Sequence, residues 1–257
     1  MSEEETKLTI AIPGEWALRK AFGPVLTEMG EDFRKLYAKG RDKLISAAYR
    51  KIRDPDDGKQ ANLRVTRDVL WNGAFTDDEV CAEYFGGIFA ASRSADGKDD
   101  DVIQFVDVIK SLSAKQLRLH YVIYNSLNKL FVAAGTPFNV AASQEIQSKQ
   151  VWFARIELDI LSLKIDTDLN ILFRQGLLHQ YEFQVHTVSE KQGLPYVLVK
   201  PTTFGILLYA VAHNKLEEWR LFDQRDFGDF PDIALPNSYA SKLDDLLKKI
   251  GLAPIKA

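Results

Sequence analysis

The chain has 257 residues, 46% hydrophobic and 27% charged, with a formal net charge of -3 at pH 7. That length and apolar content are enough for a sizeable core and exclude a disordered chain, and the mild acidity excludes bulk polyanion binding. The single cysteine, Cys81, excludes an intramolecular disulfide and a thiolate zinc site.

The opening MSEEETK is acidic where a secretion signal is basic and then apolar. The longest apolar run, residues 204–212, falls short of the ~20 residues that cross a bilayer. The expectation is a soluble cytoplasmic protein with no transmembrane segment. Residues 7–12 alternate as a short strand that Pro13-Gly14 stops. Residues 15–53 turn helical, with Gly23-Pro24, Gly30 and Gly40 arguing against one straight helix. Residues 34–53 hold eight cations against one acid, an excess of seven. Lys35, Lys39, Lys43, Arg50 and Arg53 fall on one arc opposite Tyr37, Leu44, Ala48 and Ile52, which makes a basic amphipathic helix. As a function, that stripe docks nucleic acid, an anionic membrane or an acidic protein; as plain structure, it is a solvated helix face. DPDDGKQ, residues 54–60, reads as a linker.

Residues 75–131 carry the strongest helical periodicity. Val80, Cys81, Tyr84, Phe85, Ile88 and Phe89 share one face, with Thr76 expected as N-cap and Asp77, Asp78 and Glu79 suited to the helix dipole. Val102, Phe105, Val106, Ile109 and Leu112 repeat the spacing, and Ser113 to Gln116 forms a capping box for a third helix through His120, Tyr121, Tyr124 and Phe131. The intervening Asp99-Asp100-Asp101 reads as surface charge, not as a metal site.

Residues 141–163 fit a helix or a strand. Asp166 or Thr167 suits the cap of a short helix with Leu169, Leu172 and Phe173 on its apolar face, closed by Gly176. An extended run to Thr187, a turn at SEKQG, a second strand over 196–200 and a helix from 201 to about 213 follow. That order is the order of a winged helix. After His213, six acids outnumber three cations, with Trp219, Phe222, Phe227 and Phe230 interleaved. The segment is either an extension pinned by its aromatics or an acidic tail that associates with the basic helix of another copy. Residues 238–250 read as a final helix.

The fold class is therefore mainly α, a helical N-terminal layer followed by a winged-helix-like unit with a small β-hairpin. The expected segments are 1–60 (strand and basic helices), 61–135 (central helical layer), 136–214 (winged-helix-like unit) and 215–257 (acidic-aromatic extension and last helix). No catalytic motif emerges. His120, His179, His186 and His213 are scattered, Cys81 sits on an apolar face, and the kinase-like Asp226-Phe227-Gly228 lacks the loops that give it meaning. No metal and no cofactor is expected.

Residues 77–90, residues 105–117 around Ser111-Leu112-Ser113, DLNILFRQGLL at 168–178 and Thr202-Thr203-Phe204-Gly205 together resemble the Abi-alpha family of bacterial abortive-infection proteins. The likeness spans about 22–213, with Gln175 and Thr203 departing from the family pattern. It implies a role in antiviral defence without supplying an active site. Two classes follow: a non-enzymatic defence or interaction protein with protein partners or self-association, and a winged-helix nucleic-acid regulator or sensor. Asp166 and Asp168 at the start of the expected recognition helix oppose a phosphate backbone, which favours the first.

Overall fold

A computed structural model of the chain describes residues 24–189 and 192–252. The expected strand at 7–12, Trp16 and Phe22, and the turn residues Glu190 and Lys191, lie outside the described residues. The fold is mainly α-helical with a small antiparallel sheet, and one continuous core runs from Leu44 to Ile233 through all four expected segments.

Helix α1, Pro24–Lys51, begins on a proline, which suits a first helical position because its missing N–H has no intrahelical partner there. Gly30 and Gly40, expected to interrupt it, do not, and Gly23 lies outside the described residues. Gly40 is instead a point of close approach, where a Cβ would lie 2.1 Å from the Ala74 carbonyl oxygen. The 54–60 linker is held in place, with Arg93 donating to Asp57 and to the carbonyls of Pro55 and Lys59. A two-residue strand, β1 (Gln60–Ala61), pairs with β2 (Arg93–Ser94).

Between them lie α2, Leu63–Gly73, and α3, Glu79–Ala91. The N-cap of α3 is Asp78, not Thr76: its carboxylate accepts the N–H groups of Val80 and Cys81 at 2.9 and 3.2 Å. Thr76, two residues too early, accepts the Asp78 N–H. Helix α3 is also buried on more than the expected face, because Ala82, Glu83, Gly86 and Gly87 turn inward with Tyr84 and Ile88. The reason is a sandwich: α1 covers one flank, and α9 (Thr203–Ala212) covers the other, with Gly87 against the Ala212 carbonyl.

Helix α4, Ile103–Lys110, leads to α5, Ala114–Ala134, which opens on the expected capping box of Ser113 and Gln116. Helix α5 is the central rod, with Leu117, Leu119, Tyr121, Val122, Ile123, Tyr124 and Leu127 fully buried. Each such side chain contributes about 1.5–3 kcal/mol of apolar burial, before the entropy of ordering it is subtracted.

The ambiguous 141–163 stretch is both kinds of structure: α6, Ser143–Gln147, β3, Val151–Ala154, and α7, Arg155–Ile160. Its pieces are each too short for periodicity to reveal. Helix α8, Ile165–Arg174, starts one residue before Asp166 and two before Thr167, the expected caps, and the residue preceding it, Lys164, makes no side-chain cap. Then β4, Leu178–Ser189, and β5, Gln192–Pro201, form a hairpin. Strand β3 pairs antiparallel with β5, and β6, Tyr239–Ala240, lies beyond β3, giving the order β4-β5-β3-β6. Pairing to β3 ends at Tyr196, so past Gln184 the hairpin continues as a two-stranded ribbon.

After α9 come a 3-10 helix, Leu216–Leu221, and an irregular segment pinned to α5. The Asn128 amide donates to the carbonyls of Phe222 and Arg225 and accepts the Phe227 N–H, while the Tyr121 hydroxyl accepts the Phe230 N–H. Helix α10 spans only Leu243–Lys249, because Tyr239 and Ala240, expected to be helical, join the sheet as β6.

Candidate interaction surface

The basic stripe is the first place the sequence directs attention. Lys39 pairs with Asp77 at 2.7 Å, Lys43 reaches Asp77 and Glu79 at 2.6 Å each, and Arg50 and Lys51 converge on Glu83. Hydrogen bonds from Lys39 and then Lys43 hold Asp77 down at about 2, and those to Asp77 and Glu79 raise Lys43. Three of the five cations that would meet a partner therefore meet α3 and its approach. Lys35 and Arg53 are exposed.

The acidic segment behind α9 is likewise engaged within the chain. Asp229 meets Lys129 and Asn125, Asp223 accepts the Phe138 N–H, and Glu218 meets Arg225. Its Phe227 and Phe230 pack on one buried histidine, His213, and a second, His120, is buried among tyrosines of α3 and α5. His213 lies against Phe230 and Tyr209, and its Nδ1 contacts the Tyr209 carbonyl; His120 stacks on Tyr124 and shares a hydrogen bond with the Tyr84 hydroxyl. Burial presses both imidazoles down to about 3, so both are neutral near pH 7. Burial raises the Cys81 thiol to about 11, which leaves it protonated and unreactive. Among the described residues, no three His, Cys, Asp or Glu side chains gather into a metal-binding group.

The third place is the face shared by α8 and the hairpin. Tyr181, Phe183 and Val185 alternate onto the side of β4 that α8 covers, because successive strand residues point to opposite faces. The Asn170 amide donates to the Tyr181 hydroxyl at 3.1 Å, and Phe173, Tyr181 and Phe183 form a chain of edge-on rings. Helix α8 ends before it can cover the row. Phe173 is 46% exposed, Phe183 39% and Val185 64%, and Ile156 and Ile160 of α7 stand out at 63% and 71%. A shallow hollow of about 130 Å³ lies where Arg155 meets Phe183, Val185, Pro195 and Tyr196.

The charge expected at the start of α8 is redistributed. Asp168 turns inward, 6% exposed, and accepts from the Gln116 amide; Asp166 is exposed and paired with Arg155 at 2.8 Å. The outward residues of α8 are thus Asp166, Thr167, Asn170, Phe173 and Arg174, a nearly neutral set ending in an aromatic ring. Sequence reasoning did not single out Phe183 and Val185. The available signal was an apolar alternation running on through a strand three times the length of β3.

Comparison with protein-family models, curated proteins and solved structures finds no match to this chain. Among the described residues, no helix is long and apolar enough to cross a membrane.

Proposed function

We propose that this chain is a non-enzymatic cytoplasmic defence protein of the abortive-infection kind that its resemblance to Abi-alpha implies, and that residues 136–214 act as a winged-helix unit engaging a protein. The winged-helix reading is supported by the order β3, α7, α8, β4, β5, with β3 closing antiparallel onto β5 and α8 in the recognition position. The observation that carries the choice of partner is the exposed apolar row of Phe173, Phe183 and Val185 on the helix and wing, where a nucleic-acid reader would present cations and amides. The amide of α8 nearest that row, Asn170, is already bonded to Tyr181, which leaves Arg174 as the outward cation of the helix. The engagement of Lys39, Lys43 and Arg50 by carboxylates weighs against the basic helix as a phosphate-binding surface.

The test is phage challenge of cells carrying the wild-type gene, no gene, or the Phe173→Ser/Val185→Ser double variant, with circular dichroism on each protein. Protection by wild type and its loss in a folded double variant is the expected result. No protection by wild type overturns the defence reading. Gel-shift binding of mixed-sequence duplex that Asn170→Ala abolishes, with protection unaffected by the double variant, overturns the protein-docking reading in favour of a nucleic-acid sensor.

A further inference from the structure

Strand β4 lies at the edge of its sheet, and among the described residues it pairs only with β5. An edge strand offers a row of unpaired N–H and C=O groups, and proteins that stay monomeric usually blunt it with lysine, proline, a bulge toward solvent or a covering element. Residues 178–187 contain no Lys, Arg or Pro, their one formal charge, Glu182, is bonded to Gln184 and Gln180 of the same strand, and the register shifts of β4 fall at its two ends, Leu178/Gln180 and Thr187/Ser189, leaving 180–187 regular. Beyond the reach of β3, the strand continues in a two-stranded ribbon that carries Val185 at 64% exposure. Two-stranded ribbons are marginal in water without a third strand or a covering surface.

We infer that a second copy of this chain covers this edge, β4 pairing antiparallel with β4 of the other molecule about a two-fold axis at Phe183. The inference rests on reading the helix–hairpin face as a protein-docking surface. What selects a second copy is the strand's self-complementarity. A dyad through a residue sets odd positions opposite odd ones, so Phe183 meets Phe183, and Tyr181 meets Val185 of the second copy, an aromatic opposite a β-branched residue. On the other face Glu182 meets Gln184 of the second copy, whose amide donates to the carboxylate, while the two carboxylates sit at a diagonal spacing of about 8 Å. No like charges come directly opposite. The product is one continuous eight-stranded sheet, with Phe173 of each α8 beside the seam, and its isologous geometry closes without leaving another edge at this position.

The experiment measures the mass of the full chain by light scattering after size exclusion, over a range of concentrations. Wild type is expected to dimerise. Phe183→Lys and Phe183→Glu place like charges against each other across the dyad, so each alone is expected to be monomeric with unchanged circular dichroism. Mixed in equal amounts, the two variants are expected to recover the dimer, since lysine then faces glutamate. A wild type that stays monomeric at its highest soluble concentration overturns the inference, as does a dimer that persists in both single variants. Neither result alone overturns the docking reading: a wild type that stays monomeric yet loses protection in the folded Phe173→Ser/Val185→Ser variant keeps that reading, with a different protein as the partner.

Discussion

Glu83→Gln tests the internal electrostatics of the α1–α3 contact most sharply. The Glu83 side chain is 5% exposed and meets Lys51, 11% exposed, and Arg50, 47% exposed. Burial lowers Lys51 from its ordinary 10.5 to about 8 even with Glu83 beside it. Keeping the ammonium charged at pH 7 therefore costs the folded state about 3 kcal/mol. Without the carboxylate, the attraction that holds the proton is gone, and the lysine can at worst enter the fold neutral. Neutralising it at pH 7 costs about 5 kcal/mol, so the added lysine penalty of the variant is capped at about 1–2 kcal/mol. That is well below the ~3–5 kcal/mol expected if the ammonium stayed charged and unpaired. At pH 9 the lysine is mostly neutral in both folded proteins, so the lysine part of the difference closes while the lost Arg50 pair remains. The sign in wild type follows the same logic: the unfolded chain binds the Lys51 proton up to 10.5 while the folded one releases it near 8, so this residue makes stability rise with pH from about 8. Urea unfolding at pH 7, 8 and 9 measures it, with Lys51→Met as the control that removes the trend. A Glu83→Gln penalty that is the same at pH 7 and pH 9 refutes the reasoning.

His120 and His213, held near 3 by burial, keep their stability contribution above 6.5 and lose it as pH falls toward 3; together they cost about 3–4 kcal/mol between pH 6.5 and 5, and His213→Gln should halve that slope in urea titrations. Asn128→Ala removes the one side chain that satisfies two carbonyls and an N–H of the 222–227 segment, and a loss of about 3 kcal/mol or more is expected by denaturant unfolding. Cys81 should react with a thiol reagent only on unfolding, and fast labelling of the native protein would place α3 at the surface. Changing Lys39 and Lys43 together to Gln should leave the thermal midpoint nearly unmoved, because their pairs with Asp77 and Glu79 lie at the surface; a large drop by calorimetry would mean that their stems pack in the fold.

The long elements were legible because their signals are redundant. Helix α5 announces itself through a capping box and a run of apolar positions, and the hairpin through an alternation on both sides of a turn. What failed to show was short or set by neighbours. Strand β3 and helix α7 together span ten residues, below the window in which a period can be counted. The reason for a glycine at position 40 of α1 is its close approach to Ala74, a contact between residues far apart in sequence. The inward turn of Asp168 depends on Gln116 in the same way.

Charge misdirects the search for a surface here, and the reason is physical. The cations of α1 and the acids after α9 are the most conspicuous runs in the sequence, yet Lys39, Lys43, Arg50 and Lys51 meet α3 and its approach, and Asp229 and Asp223 meet α5 and the segment after it. Opposite charges distant in sequence found each other on folding, which leaves little long-range field at either place at physiological ionic strength. An apolar patch has no such internal remedy: Phe183 and Val185 sit on a ribbon that extends beyond both α8 and β3, and no further strand of the described chain reaches them. Among the described residues nothing covers them, so their cover comes from outside the described residues or from another molecule, or the exposure is tolerated, and a strand edge without Lys, Arg or Pro over 178–187 makes tolerance the costlier arrangement.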